Sequence, residues 1–323
     1  MRKIIAILLS LAIIFCLAGC GGASNAGGDA SVENVKLRFT TGGESGTYYA
    51  FGTVIAQHAT ANAGISVNAV VGNGSQANIE ELAAGNAELA FCQSDVMAYA
   101  YEGKNLFEAP VTCFSTVAAL YTEQVQIVTL DPEIKTVADL KGKKVSIGAA
   151  GSGVYFNAID ILGVYGLTED DIEPTYQSFG DSADALKDGK IDAAFIVAGA
   201  PTTAVTDLST TKKVCLVSLD DEHIATLLEA SPYYAKSVIA KDVYGTDTDI
   251  ATVGVGAVIL AKNDISEDAI YNLCKDIFDN AENLVDSHAK YGELDLTYAT
   301  SITSVPYHPG AVKYFAEKGI EIK

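Results

Sequence analysis

One ten-residue pattern occurs twice in this chain. Leu82-Ala-Ala-Gly85-Asn-Ala-Glu88-Leu-Ala90-Phe91 and Leu186-Lys-Asp-Gly189-Lys-Ile-Asp192-Ala-Ala194-Phe195 both read L-x-x-G-x-(A/I)-(E/D)-x-A-F. Each copy describes a helix end feeding a buried strand. Leu packs the helix on a sheet, Gly closes it in left-handed geometry, and Ala-Phe enters a strand covered on both faces. A second echo precedes each copy: Ser45-Gly-Thr-Tyr-Tyr and Ser152-Gly-Val-Tyr-Phe, 107 positions apart, both follow glycines and open a helix-like stretch. The order is kept, with 46 positions from Ser45 to Phe91 and 43 from Ser152 to Phe195. The pattern predicts two lobes built on one plan.

Strands alternate with helices around these landmarks. Val35 to Thr40, Ile65 to Val71 and Glu88 to Cys92 read as strands, and Thr47 to Ala61 and Gln76 to Ala84 as helices. The cycle recurs with strands at Lys144 to Gly148, near Thr175 to Phe179 and at Asp192 to Val197, and with helices from Gly153 to Tyr165 and from Ser182. Such alternation predicts βαβ units and mostly parallel sheets. The apolar runs Gln124 to Leu130 and Thr252 to Ala261 flank the second copy and are expected to pair as hinge strands. Ser266 to Ser287 reads as one amphipathic helix, with Ile270, Leu273, Cys274, Ile277, Phe278, Ala281 and Leu284 on the face that packs on the first lobe. The expected division is a first lobe over 36–127, a second over 128–251, and a return to the first through 252–323.

A length of 323 residues suffices for two cores. A net charge of −20 argues against nucleic acid as a partner. The first 19 residues read as a signal peptide: Arg2 and Lys3, then an apolar region of 13 residues from Ile4 to Cys16, too short for a comfortable membrane span. Leu17-Ala-Gly-Cys20 resembles the bacterial lipobox, which implies cleavage before Cys20 and thioether lipidation of its thiol, with two or three palmitate-like acyl chains. Those chains would hold the protein at the extracytoplasmic membrane face. The mature chain then sits near −22 and keeps Arg38 as its only arginine. Alternation with Leu37 and Phe39 points Arg38 away from the sheet's core. Gly21 to Asn34 reads as a flexible tether with a reach of about 20 Å. Cys92, Cys113, Cys215 and Cys274 are far apart, with no C-x-x-C, and are expected as buried free thiols, a disulfide being the alternative.

Each repeated turn carries a strand through glycines into Ser-Gly and a helix. Ser45 and Ser152 stand where an N-cap or first-turn residue belongs, and backbone N–H groups there lack intrahelical partners. Such an end attracts an anion, so two of them facing one cleft would hold a carboxylate without any arginine. Plain helix capping is the competing reading. The aromatics Tyr48-Tyr49 and Tyr155-Phe156 favour the cleft, since rings in the first turn would line it. Open α/β sheets place ligands beyond strand C-termini. That rule adds Gly74-Ser75 with Asn78, Gln93-Ser94-Asp95, and Ala198-Gly199-Ala200-Pro201-Thr202, where turn chemistry is the alternative.

Enzymatic readings find little support. Gly43-Glu-Ser45-Gly-Thr47 lacks the closing Gly of G-x-S-x-G, and neither a P-loop nor a G-x-G-x-x-G is present, so no cofactor is expected. His58, His223, His288 and His308 are scattered and show no metal-ligand spacing. A lipid-anchored hydrolase would need Ser45 to meet His58, yet thirteen residues of helix separate them by about 20 Å.

Several segments together resemble one family. TTGGESGTYYAFG, GNGSQAN, AGNAELAFCQSD, DLKGKKVSIGAAGSG, DGKIDAAFIVAGAPT and PYHPGA, in this order from about Leu37 to Gly319, are similar to the TAXI family, the solute receptors of TRAP transporters. The resemblance implies a type II periplasmic-binding-protein-like α/β fold of two lobes joined by two hinge strands. It implies closure on a small organic acid or amino acid, glutamate-like or dicarboxylate, and delivery to a TRAP permease. A receptor for an ABC transporter or a sensor is a variant of the same class. The family motifs carry Ser45, Thr47, Tyr48, Ser75, Asn78, Gln93, Ser94, Ser152, Gly153, Tyr155, Gly199, Pro201 and Thr202 as candidate ligand contacts, and the turn glycines Gly43, Gly46 and Gly151 join them.

Overall fold

The computed structural model describes residues 35–322. The signal segment, Cys20 and the tether lie outside the described residues. β1 (Lys36–Thr40), α1 (Thr47–Asn62), β2 (Ser66–Val70), α2 (Ser75–Ala83), β3 (Leu89–Gln93) and α3 (Ser94–Glu102) build the first lobe. β4 (Phe114–Thr129) carries the chain out of it. The second lobe contains β5 (Lys144–Ser146), α4 (Val154–Val164), β6 (Glu173–Thr175), α5 (Phe179–Lys187), β7 (Ala193–Ala198), α6 (Thr203–Ser209), β8 (Cys215–Leu216), α7 (Asp221–Ala230) and β9 (Ala235–Ile239). β10 (Ile250–Lys262) returns, and α8 (Glu267–Asp279), α9 (Ala281–Leu284), α10 (Leu296–Ala299) and α11 (Pro309–Glu317) pack on the first lobe.

The two lobes repeat one strand order. β1 lies parallel between β2 and β3, and β5 lies parallel between β6 and β7. The third strand of each set then meets a long antiparallel strand, β3 against β10 and β7 against β4. β4 and β10 pair with each other from Phe114↔Lys262 to Gln124↔Gly254. Beyond that point they part, β4 toward β7 and β8 and β10 toward β9. Their side chains change cores at the same place: Leu120 and Tyr121 belong to the first core with Phe39, Phe51 and Phe91, while Val125 and Ile127 belong to the second with Val145, Ile161 and Phe195.

The repeated ten-residue pattern has a physical cause. Gly85 and Gly189 end their helices at φ of 73° and 67°. The acidic residue three positions on ties the turn to the neighbouring strand. Glu88 Oε2 accepts from the Arg38 amide at 2.7 Å, and Asp192 Oδ2 accepts from the Lys144 amide at 2.8 Å. The amides of Glu88 and Asp192 in turn donate to the carbonyls of Arg38 and Lys144. A Cβ at either glycine meets no atom within 4 Å, so only the left-handed backbone resists substitution. Gly85→Ala and Gly189→Ala should therefore each destabilise the fold by about 1–2 kcal/mol, read from urea unfolding midpoints, and by similar amounts. A cost confined to one of them would show that the two turns are not equivalent.

Two expectations are corrected. α5 begins at Phe179 and not at Ser182, because the Ser178 hydroxyl accepts from the Asp181 amide and starts the helix there. The helix expected over 266–287 stops at Asn280, whose φ of −104° and ψ of 3° separate α8 from α9. Its apolar face does pack on the first core through Ile270, Leu273, Cys274 and Ile277. Arg38 is exposed between buried Leu37 and Phe39. The four cysteines are free thiols, with Cys92 and Cys274 buried and Cys113 and Cys215 half-buried. Among the described residues no helix is long and apolar enough to cross a membrane.

Candidate functional site

The loops that follow the parallel strands of both lobes converge on one cavity of about 450 Å³. Gly42 to Tyr48, Val71 to Ser75 and Gln93 line it from the first lobe. Ala149, Ser152 to Val154, Gln177 to Asp181 and the end of β7 line it from the second. Glu123, one residue before β4 and β10 part, also borders it. The lobes touch around this space. The Ala77 amide donates to Gly151 O at 2.9 Å, the Ala204 amide to Ser45 O at 3.2 Å, and Thr47 Oγ1 to Gly199 O at 2.9 Å.

Three helices start at the cavity wall with no side-chain cap: α1 after Gly46, α2 after Gly74 and α4 after Gly153. Neither Ser45 nor Ser152 is the cap or first-turn residue expected of it, since glycine occupies both cap positions and each serine precedes one. With no capping role, the Ser152 hydroxyl is only 6% exposed and has no hydrogen-bond partner. Tyr48 Oη, Gln93 Oε1, Glu123 Oε1 and Gln177 Oε1 are likewise buried and unpartnered. Buried polar atoms are normally paired, because each orphan costs about 1–3 kcal/mol. Five of them around one cavity point to a partner that arrives with the ligand.

Carboxyl groups dominate the ionisable lining, with Glu44, Glu123, Asp181 and Asp184, and the lining includes no Lys or Arg. Glu123 is 2% exposed. Burial pushes its carboxyl up to about 8; the Asp95 charge adds to this, while Tyr48, Gln93 and Lys290 pull it partly back. Asp95, fully buried at the start of α3, is raised to about 7, again chiefly by burial and against the pull of the Val96 amide and Asn157. It anchors a polar chain across the lobes. Asn157 Nδ2 donates to Asp95 Oδ2 at 2.9 Å and to Tyr234 Oη at 2.8 Å, and Tyr234 donates to Asp160 at 2.9 Å. Asn157 Oδ1 then accepts from Gln93 Nε2 at 3.0 Å. The two carboxylates fix which end of the Asn157 amide donates. Asn157 in turn orients Gln93, whose carbonyl oxygen is left without a partner against Gly153 at the cavity wall.

Of the candidate contacts, the structure brings Gly43, Ser45, Gly46, Thr47, Tyr48, Ser75, Gln93, Ser152 and Gly153 together in this lining. The others are outside it. The Asn78 amide is spent on Thr40, Thr41 and Phe91, and Ser94 Oγ accepts from the Gly256 amide. Gly151 and Gly199 serve through their carbonyls in the interlobe contacts. Pro201 is exposed, and Thr202 bonds Gln126 and Tyr244 within the second lobe. Nor do the second-copy aromatics line the cleft as expected: Tyr155 donates to Glu169, and Phe156 packs against Tyr99 in a first-lobe cluster. Glu123, Gln177, Asp181 and Asp184 are lining residues that sequence reasoning missed. His58 is held by Asp276 of α8, and no histidine lines the cavity. Among the described residues no group of three or more His, Cys, Asp or Glu is placed to hold a metal.

Two α/β lobes, crossed by two antiparallel strands and closed over a cavity at their strand C-termini, are the fold of type II periplasmic binding proteins. PhnD1 from Prochlorococcus marinus, solved in complex with methylphosphonate, superposes with a TM-score of 0.53 at 9% identity, covering 88% of this chain and 98% of its own. A protein of Bordetella bronchiseptica RB50 superposes with a TM-score of 0.53 at 16% identity, covering 88% of this chain and 82% of its own. The profile of the NMT1-like family matches residues 39–319, and the chain belongs to that family.

Proposed function

We propose that the protein is the extracytoplasmic solute receptor of a membrane transporter, closing on a small polar organic solute between its lobes. The observation that carries this reading is the cavity between the lobes, with five unpartnered buried polar atoms around it. Its volume of about 450 Å³ falls within the common ligand range of roughly 300–1,000 Å³. β4 and β10 supply the hinge, since they are the segments whose side chains pass from one core to the other. Ligand contacts to both lobes would favour the closed arrangement over an open one. The motifs resembling the TAXI family favour a TRAP permease as the partner and an organic acid or amino acid as the solute. Lipidation at Cys20 would keep the receptor beside that permease.

A thermal-shift screen of the purified protein tests the receptor reading. The panel holds amino acids, mono- and dicarboxylates, keto acids and sugars. A saturable rise of several degrees with one compound class is expected, growing with concentration as mass action requires. A flat response to every class would count against a receptor for such solutes.

A further inference from the structure

The lining divides into donors and acceptors. The donors are backbone N–H groups at the uncapped starts of α1, α2 and α4, which favour an anion. The acceptors sit together by the crossing strands: Glu123 Oε1 and Gln93 Oε1, both on residues 2% exposed and neither with a partner. Asn157 orients the Gln93 amide by accepting one of its two Nε2 hydrogens, and Gln93 also draws the Glu123 carboxyl partly back down. Lys290 does not neutralise Glu123, since its ammonium is spent on Ala200 O and Glu293. Once ionised, Glu123 accepts hydrogens, and an ammonium group of the ligand would supply them.

Resting on the receptor reading, we propose that Glu123 selects the solute: its carboxylate receives a primary ammonium group, while the ligand's acidic end lies on the helix starts. The ligand class is a small zwitterion. In the empty protein the Glu123 carboxyl is largely protonated near neutrality. Binding then breaks the Glu123 O–H bond, leaves the carboxylate against the ammonium, and releases the proton to solvent. The ionisable groups that bear on Glu123 are Tyr48 of α1, Cys92 of β3, Asp95 of α3, Tyr121 of its own strand, Lys290, and Tyr298 of α10. Those with hydroxyl or thiol groups are pushed upward by burial and stay neutral across the range of interest.

Calorimetry on the purified protein with matched pairs tests this: L-glutamate with 2-hydroxyglutarate, L-leucine with 2-hydroxyisocaproate, and L-alanine with lactate. In buffers of different ionisation enthalpy at pH 7, the binding amino acid should release close to one proton, and its affinity should rise about five-fold from pH 7 to pH 8. The hydroxy partner should bind at least ten-fold more weakly. Glu123→Gln retains a neutral side chain of the same shape, so it should fold normally while abolishing proton release and that preference. Equal binding of a matched pair, or binding without proton release, would overturn the assignment while leaving the receptor reading intact. Binding of dicarboxylates alone, weakening as pH rises through 8, would instead make neutral Glu123 a donor and also overturn it. Absence of binding by every compound would count against both.

Discussion

Replacing Gly153 by valine should cost the protein at least about 100-fold in solute affinity with little change in the stability of either lobe. Gly153 opens α4 at φ −71° and ψ −20°, which any residue adopts, so the backbone does not resist the change. The obstacle lies across the cleft. A Cβ at this position would sit 1.5 Å from Gln93 Oε1 and 2.9 Å from Ser75 Oγ, both on the first lobe. Gln93 has nowhere to retreat while Asn157 holds its amide at 3.0 Å. Relief comes from parting the lobes, which removes the closed cavity. Alanine supplies the same first clash and should show a smaller loss of the same kind. Titration calorimetry beside a thermal melt separates the effects: unchanged affinity in Gly153→Val would contradict the closed geometry, and a collapsed melt would mark a folding defect instead.

Asn157→Leu should weaken solute binding by roughly 100-fold above pH 7, and by less at pH 6. Asn157 is fully buried and joins Gln93 and Asp95 of the first lobe to Tyr234 of the second. Leucine fills similar space but leaves Asp95, whose Oδ1 is already unpartnered, without its Oδ2 donor. A buried ionised carboxylate stripped of its partner costs about 3 kcal/mol or more. The sign of the pH effect follows from Asp95. Burial holds its carboxyl up to about 7, so below that pH it takes a proton and the missing donor matters less. Above it the charge is formed with backbone amides such as that of Val96 as its remaining donors, and the penalty is largest. Affinities measured from pH 6 to 8 should diverge between wild type and variant as pH rises. A constant ratio would show that Asp95 does not titrate within the latch.

The architecture was legible because the chain repeats itself. Gly85 with Glu88 and Gly189 with Asp192 make the same turn by the same hydrogen bonds, and such turns depend on residue types that stand out in a sequence. The crossing strands were legible as apolar runs, although β4 begins earlier, at Phe114. The first-lobe half of the lining was legible too, since its loops are written in glycine and serine. The second-lobe half was not. Gln177 lies in Tyr176-Gln-Ser178, a loop without glycine that reads as the end of a strand. Asn157 lies within the first turn or so of α4, where a polar residue ordinarily faces water. Glu123 left one trace: it is the lone carboxylate of a 16-residue strand, set between Thr122 and Gln124. That it is buried beside a cavity depends on where β4 and β10 part, which is a property of the folded chain and not of local sequence.

A crystal structure grown with the compound that gives the largest thermal shift would show whether the cavity between the lobes is the solute site. That compound is expected inside the cavity, touched from one side by Gln93 and Glu123 and from the other by Ser152 and Gln177. A compound bound to one lobe alone, or outside the cleft while the cavity stays closed, would contradict it.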